Sequence, residues 1–146
     1  MKEKFVKLYM DWAKRTAQLS HARRLQVGAV IVKDDSVISY GYNGMPAGWE
    51  NNCEDECKWP GGEIRGLVTK PEVLHAEMNS LMKLAKSLSS GNQASMFITH
   101  SPCLECAKGI YQAGIKEVFY GEDYRSEDGI NFLKKCGVKI EKIISK

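Results

Sequence analysis

Two short stretches of this chain gather the residue types that bind metals and move protons. In "LHAEMNSLM" (74–82) His75 stands two residues before Glu77, and in "THSPCLECAKGI" (99–110) Cys103 and Cys106 follow directly behind Pro102. Zinc takes thiolate sulfur and neutral imidazole nitrogen, and a catalytic site leaves one of four tetrahedral positions open for water. His75, Cys103 and Cys106 supply three such ligands. Glu77, beside them but not needed as a ligand, is expected to carry protons.

The spacings say where such a metal would lie. Cys103 and Cys106, three apart, share one face of a helix. His75 and Glu77, two apart, would diverge in mid-helix, so they converge only if the metal sits off a helix N-terminus. Both helices then aim their positive ends at the site, which favours thiolates. Pro102 sets the backbone at the turn into the second helix. A lone CxxC or a lone HxE is weak, but the two in this order, with 24 residues between Glu77 and Pro102, form a specific pattern.

The elements that must carry these residues alternate. Phe5, Leu8, Tyr9 and Trp12 recur at helical spacing and predict an amphipathic helix to about Leu19. "QVGAVIVK" (26–33) suits a buried strand, with Asp34 and Asp35 turning into "SVISYGYNG" (36–44) as its hairpin partner. From Met45 to Glu72 periodicity is lost, which predicts a long loop or insert, and such loops are usually functional. A helix near 75–89, a strand at 95–100, a helix near 103–113 and a strand at 116–121 follow. A helix from about Ser126 to before Gly137 and a strand at 138–143 close the chain. This order implies one domain over 1–146, with 45–72 as its insert: a three-layer α/β/α sandwich around a five-stranded mixed sheet.

Composition narrows the function classes. Apolar residues make 43% and charged residues 27% of 146 positions, a globular profile. A net charge of +3 is too small to indicate nucleic-acid binding. "MKEKFVKLYMDWAKR" has no long apolar run, so neither a signal peptide nor a membrane span is expected, and the protein is expected in the cytoplasm. Five cysteines with two close pairs read as metal or catalytic residues before disulfides.

HxE followed by PCxxC is the signature of zinc-dependent base deaminases. Over nearly its whole length the chain resembles the cytidine deaminase superfamily, on its deoxycytidylate (dCMP) deaminase branch. The resemblance is carried by "VGAVIVKD", "GYNGMPAG", "HAEMN" and "SPCLECAKGIYQAGIKEVFY". "GYNGMPAG" discriminates: deaminases of free cytidine usually carry Cys in the place of His75, and tRNA adenosine deaminases lack the GYNG segment. The resemblance implies hydrolysis of dCMP to dUMP for thymidylate synthesis. It implies a homohexamer activated by dCTP with Mg2+ and inhibited by dTTP, with Tyr42, Asn43 and Gly44 as candidates for the effector site.

It further implies zinc on His75, Cys103 and Cys106 activating water for attack on C4, with Glu77 carrying protons to N3 and to the leaving amine. The backbone near Ala76 and Ser101 would hold the pyrimidine edge, and Asn43 the 3′-hydroxyl. A 5′-phosphate needs cations or N–H donors; Arg24 and Arg125 are favoured for it, over Arg23. Tyr120 has two readings, an aromatic near the pocket or a sheet-end core residue. Some relatives hold a second zinc through the insert. Here Cys53 and Cys57, with His21 nearby and Ala22 where relatives often have Cys, do not complete a tetrahedral set, and both cysteines read as loop residues. Cys136 reads as core and His100 as a polar strand end. The rivals are a deaminase of another base and a non-catalytic zinc module, which would have no use for Glu77.

Overall fold

Alternating faces of the central strands decide the layers. In the computed structural model, which describes residues 1–124 and 126–144, β1 (Gly28–Lys33) sends Val30 and Val32 to one side and Ala29 and Ile31 to the other, all buried. Strand β5 (Ser95–His100) does the same with Phe97 on one side and Met96 and Ile98 on the other. A strand covered on both faces reads as a continuous apolar run, which is why both were legible.

The sheet has the order β2-β1-β5-β6-β7, with β2 spanning Ser36–Tyr42, β6 Glu117–Glu122 and β7 Lys139–Lys142. The pairs β2–β1 and β1–β5 are antiparallel, and β5–β6 and β6–β7 are parallel, so the sheet is mixed. On one face lies α1 (Glu3–Ala17), packing Val6, Tyr9, Met10 and Ala13 against Val30, Phe97 and Phe119. The other face carries α2 (Ala76–Ala85), α3 (Leu104–Gln112) and α4 (Asp128–Lys135) over a larger core containing Leu81, Leu84, Ile110 and Leu133. This is the three-layer α/β/α sandwich read from the sequence.

Two expectations change. The buried stripe of α1 runs through residues 6, 9, 10 and 13, while Leu8 and Trp12 are about half exposed. Small Ala13 faces the sheet because the helix comes close to it there, so that a Cβ on Gly28 would strike the Ala13 carbonyl. The insert is not structureless either: β3 (Glu54–Lys58) and β4 (Ile64–Thr69) pair as an antiparallel hairpin. Most of its residues are exposed or half-buried, so no apolar alternation marks it in the sequence. Mutual backbone hydrogen bonds between Gly44 and Leu74 (3.1 and 2.8 Å) close the insert at its neck, immediately before His75.

Close approach fixes the site-bearing helices to the sheet. Gly41 on β2 lies so near α2 that a Cβ there would sit 2.5 Å from the Ala76 carbonyl oxygen and 2.7 Å from the Ser80 nitrogen. Gly129 on α4 is pressed against the Pro102 carbonyl and Cys103 in the same way. Both close approaches lie within one or two residues of a predicted metal ligand.

Candidate active site

His75 and Cys103 are not inside their helices. Each is the N-cap, His75 of α2 and Cys103 of α3, with extended backbone, so its side chain projects ahead of the first turn. The two helices start at the same end of the sheet, and their caps meet. Nδ1 of His75 lies 3.5 Å from Sγ of Cys103 and 3.4 Å from Sγ of Cys106. A tetrahedral zinc with bonds of about 2.0 Å to nitrogen and 2.3 Å to sulfur holds such atoms about 3.5 Å apart. Among the described residues these three are the one group of His, Cys, Asp or Glu whose ligand atoms all lie within 4.8 Å of one another. The donor set and its spacing fit zinc.

The surroundings favour negative sulfur. The Cys106 amide donates to Cys103 Sγ at 3.4 Å, the first-turn bond of α3. Held by Cys106 first and by His75 next, the Cys103 thiol is pulled down to about 4. Its partner Cys106 is pushed up, first by sharing a hydrogen with Cys103 and then by burial. The pair thus keeps one thiolate by itself, and a divalent cation on both sulfurs favours the second. The His75 imidazole is raised, chiefly by the Cys103 sulfur.

Glu77 sits in the first turn of α2, only 4% exposed. Burial, before any neighbour, raises its carboxyl above the ordinary glutamate range. A buried carboxyl raised in this way exchanges protons more readily near neutral pH than an exposed one.

One cleft collects these groups and more. His75, Ala76, Glu77, Ser101 and Cys103 line it together with Asn43 and Arg24. The Ser101 amide donates to the Glu122 carbonyl at 2.8 Å and is therefore already engaged within the sheet end. Ala76, at the first position of α2, has an N–H with no partner in its own helix.

Comparison with known proteins bears on this cleft directly. Residues 3–122 match the family described as the cytidine and deoxycytidylate deaminase zinc-binding region. The chain belongs to this deaminase family. Human deoxycytidylate deaminase is 37% identical over 153 aligned residues, covering 94% of this chain and 83% of that one. ComE operon protein 2 of Bacillus subtilis is 35% identical over 136 residues, covering 92% and 69%. The dCMP deaminase of the cyanophage S-TIM5, solved in complex with dCMP and dUMP, is 42% identical with a TM-score of 0.86, covering 98% of this chain and 99% of that one.

Within this deaminase scaffold several sequence expectations find different places. Tyr120 is buried in β6, opposite Ile98 and Lys142, and is absent from the cleft wall; Tyr124, four residues on, lines the cleft instead. Arg125 lies outside the described residues. Asn43 reaches the cleft, but its amide already binds backbone: Oδ1 accepts from Val27 N–H at 2.9 Å and Nδ2 donates to the Leu25 carbonyl at 2.8 Å. The effector candidates divide, because Tyr42 and Gly44 line a second cleft with Asn79, Lys83 and Lys86 while Asn43 faces the first. Cys53 is a buried part of the cleft wall, with its thiol directed to the Asn51 carbonyl. Cys57 is half-buried on the hairpin, and Cys136 packs beside the larger core. His100 ends β5 as expected and also lines the cleft, with Nε2 3.2 Å from Glu122.

Sequence reasoning missed Glu54, Thr69 and Tyr124 in the cleft wall. Glu54 and Thr69 arrive there only because the hairpin folds the insert back, and no spacing in the sequence announces that.

Proposed function

We propose that this deaminase converts dCMP and water to dUMP and ammonia. The observation that carries the reading is a buried carboxyl, Glu77, in the same cleft wall as the cationic Arg24 and as His75 and Cys103 of a His–Cys–Cys donor set. The cyanophage relative, described with dCMP and dUMP bound, supports the substrate.

His75, Cys103 and Cys106 would hold the zinc. Zinc there supplies the Lewis acidity that makes water nucleophilic near neutral pH. Glu77 accepts a proton from the attacking water and passes it to N3 of the ring. It then takes the remaining proton from the new C4 hydroxyl and delivers it to the 4-amino group, so that C4=O forms and ammonia leaves as the C4–N bond breaks. The Ala76 N–H and the Ser101 carbonyl are complementary to the acceptor and donor edge of the pyrimidine. Burial of Glu77 keeps bulk water away from the transferred proton. Asn43, by tying residues 25 and 27 together, shapes the wall beside the sugar and has one N–H left for its 3′-hydroxyl.

The single domain over 1–146 with its insert, a homohexamer, activation by dCTP with Mg2+, inhibition by dTTP, and action in the cytoplasm on a free nucleotide belong to the same reading. Lys83, Lys86 and Asn79 around Tyr42 and Gly44 offer cations and amides suited to a triphosphate. Among the described residues no helix is long and apolar enough to cross a membrane.

The decisive experiment is an ultraviolet deamination assay with cytidine, deoxycytidine, dCMP and dCTP in parallel. Highest kcat/KM on dCMP supports the reading. Preference for a nucleoside, or no turnover of any of the four, overturns it.

A further inference from the structure

Resting on that substrate, we infer that Glu54 and Thr69 form a built support that positions Arg24 as the phosphate-holding side chain of the cleft. Glu54 opens β3 and Thr69 ends β4, and the two are direct partners across the base of the hairpin. They grip Arg24 from opposite ends. The Glu54 carboxylate, 1% exposed, accepts from the Arg24 N–H at 3.1 Å and from the Arg23 N–H at 3.0 and 3.2 Å. The Thr69 hydroxyl accepts from the Arg24 guanidinium at 3.2 Å.

The two neighbouring arginines are thereby given different work. Arg23 turns outward, with its guanidinium 3.6 Å from Glu54 and 3.5 Å from Glu56, and donating to the Asn52 side-chain Oδ1 at 3.2 Å. Arg24 turns into the cleft and, among the described residues, has no carboxylate within ion-pair distance. A half-buried arginine held by Glu54 at its backbone and by Thr69 at its guanidinium, lining a substrate cleft with no carboxylate paired to it among the described residues, is arranged for an anionic ligand. Holding the long side chain in place beforehand removes ordering entropy from the binding step. The Glu54 carboxylate is occupied by backbone amides and fixes where residue 24 leaves the chain.

A merely structural Glu54 would tie the insert to the body of the domain and affect every ligand alike. The zinc-loaded enzyme therefore serves to compare two competitive inhibitors that differ only in the phosphate, dUMP and deoxyuridine. In Glu54→Gln and in Thr69→Val, KM for dCMP and Ki for dUMP should rise about tenfold, because Arg24 no longer meets the phosphate with a well-placed charge-assisted hydrogen bond. The Ki for deoxyuridine, kcat at saturating dCMP and zinc content should stay within about twofold, because that hydrogen bond serves the phosphate alone. Equal weakening of dUMP and deoxyuridine, or no change in either, overturns the inference. Should Glu54→Gln fail to fold, Thr69→Val, which leaves the buried carboxylate in place, carries the same comparison. A wild-type enzyme that does not turn over dCMP overturns the substrate reading instead, before any variant is compared.

Discussion

His75 and Cys103, 28 residues apart, are the N-caps of two different helices, and their side chains meet at 3.5 Å. This resolves the geometry of the HxE pattern. A capping residue has extended backbone and lies outside the helical phase, so His75 points forward to the sulfurs while Glu77 turns into the buried first turn. Both sulfurs lie within 3.5 Å of His75 Nδ1, and the Cys106 amide donates to Cys103 Sγ. Cys103→Ala or Cys106→Ala should therefore lose zinc and activity together, measured by metal analysis and by turnover. Cys53→Ala should retain one zinc per chain. A stoichiometry of two, falling to one in Cys53→Ala, would show a second metal site in the insert.

Glu77→Gln should abolish turnover and keep zinc. Loss of a general acid–base group costs about 10²- to 10⁴-fold in kcat. Burial already disfavours the charge on this carboxyl, so a neutral side chain of the same shape should leave the melting temperature unchanged or higher. Zinc loss in this variant would falsify the assignment of Glu77 as a proton carrier.

Much of this was legible from the residues alone, and the reason differs by element. β1 and β5, buried on both faces, stood out as apolar runs, and β5 spans 95–100 in sequence and structure alike. The metal group was legible because each ligand belongs to a short local pattern and the caps do the rest. The β3–β4 hairpin was hidden because its side chains are largely solvated and no face is apolar enough to impose a period of two. Hidden with it were Glu54 and Thr69, brought to the cleft by long-range pairing. Tyr120 shows the opposite limit: in a strand the position just beyond an apolar pair can face the core or the cleft, and packing decided for the core.

Gly129 tests whether Cys103 depends on α4. A methyl group at this position would collide with the Pro102 carbonyl and Cys103 backbone, neither of which is a flexible chain end. Gly129→Ala should cost about 1–3 kcal/mol of stability from overpacking. It should also weaken zinc retention against a chelator relative to wild type. A variant with normal stability and normal chelator resistance would show that the cap can shift freely.

Asn43→Ala should do more than weaken the grip on the sugar. Its amide holds the Leu25 carbonyl and the Val27 N–H, both partly buried, and leaving such groups unpaired costs about 1–3 kcal/mol. Unfolding by denaturant should show that destabilisation, and KM for dCMP should rise more than kcat falls. Unchanged stability with a raised KM would mean that water replaces the amide at the backbone and that the side chain serves the ligand alone.

Regulation, if carried by this chain, should appear through the second cleft. Tyr42 and Gly44 stand there with Lys83, which also lies 3.8 Å above the Tyr40 ring, and with Lys86. The first cleft is reached from the same short segment through Asn43, so a ligand that moves residues 42–44 acts on both. Coupling of about 1–3 kcal/mol between two such sites corresponds to a several-fold change in affinity. dCTP with Mg2+ should therefore lower the apparent KM for dCMP several-fold, and dTTP should raise it. In Lys83→Ala with Lys86→Ala both effects should shrink while basal kcat holds. Sedimentation should give a hexamer. Hyperbolic kinetics indifferent to both triphosphates would remove regulation and leave the deaminase chemistry intact, because Glu77, His75 and Cys103 line the other cleft.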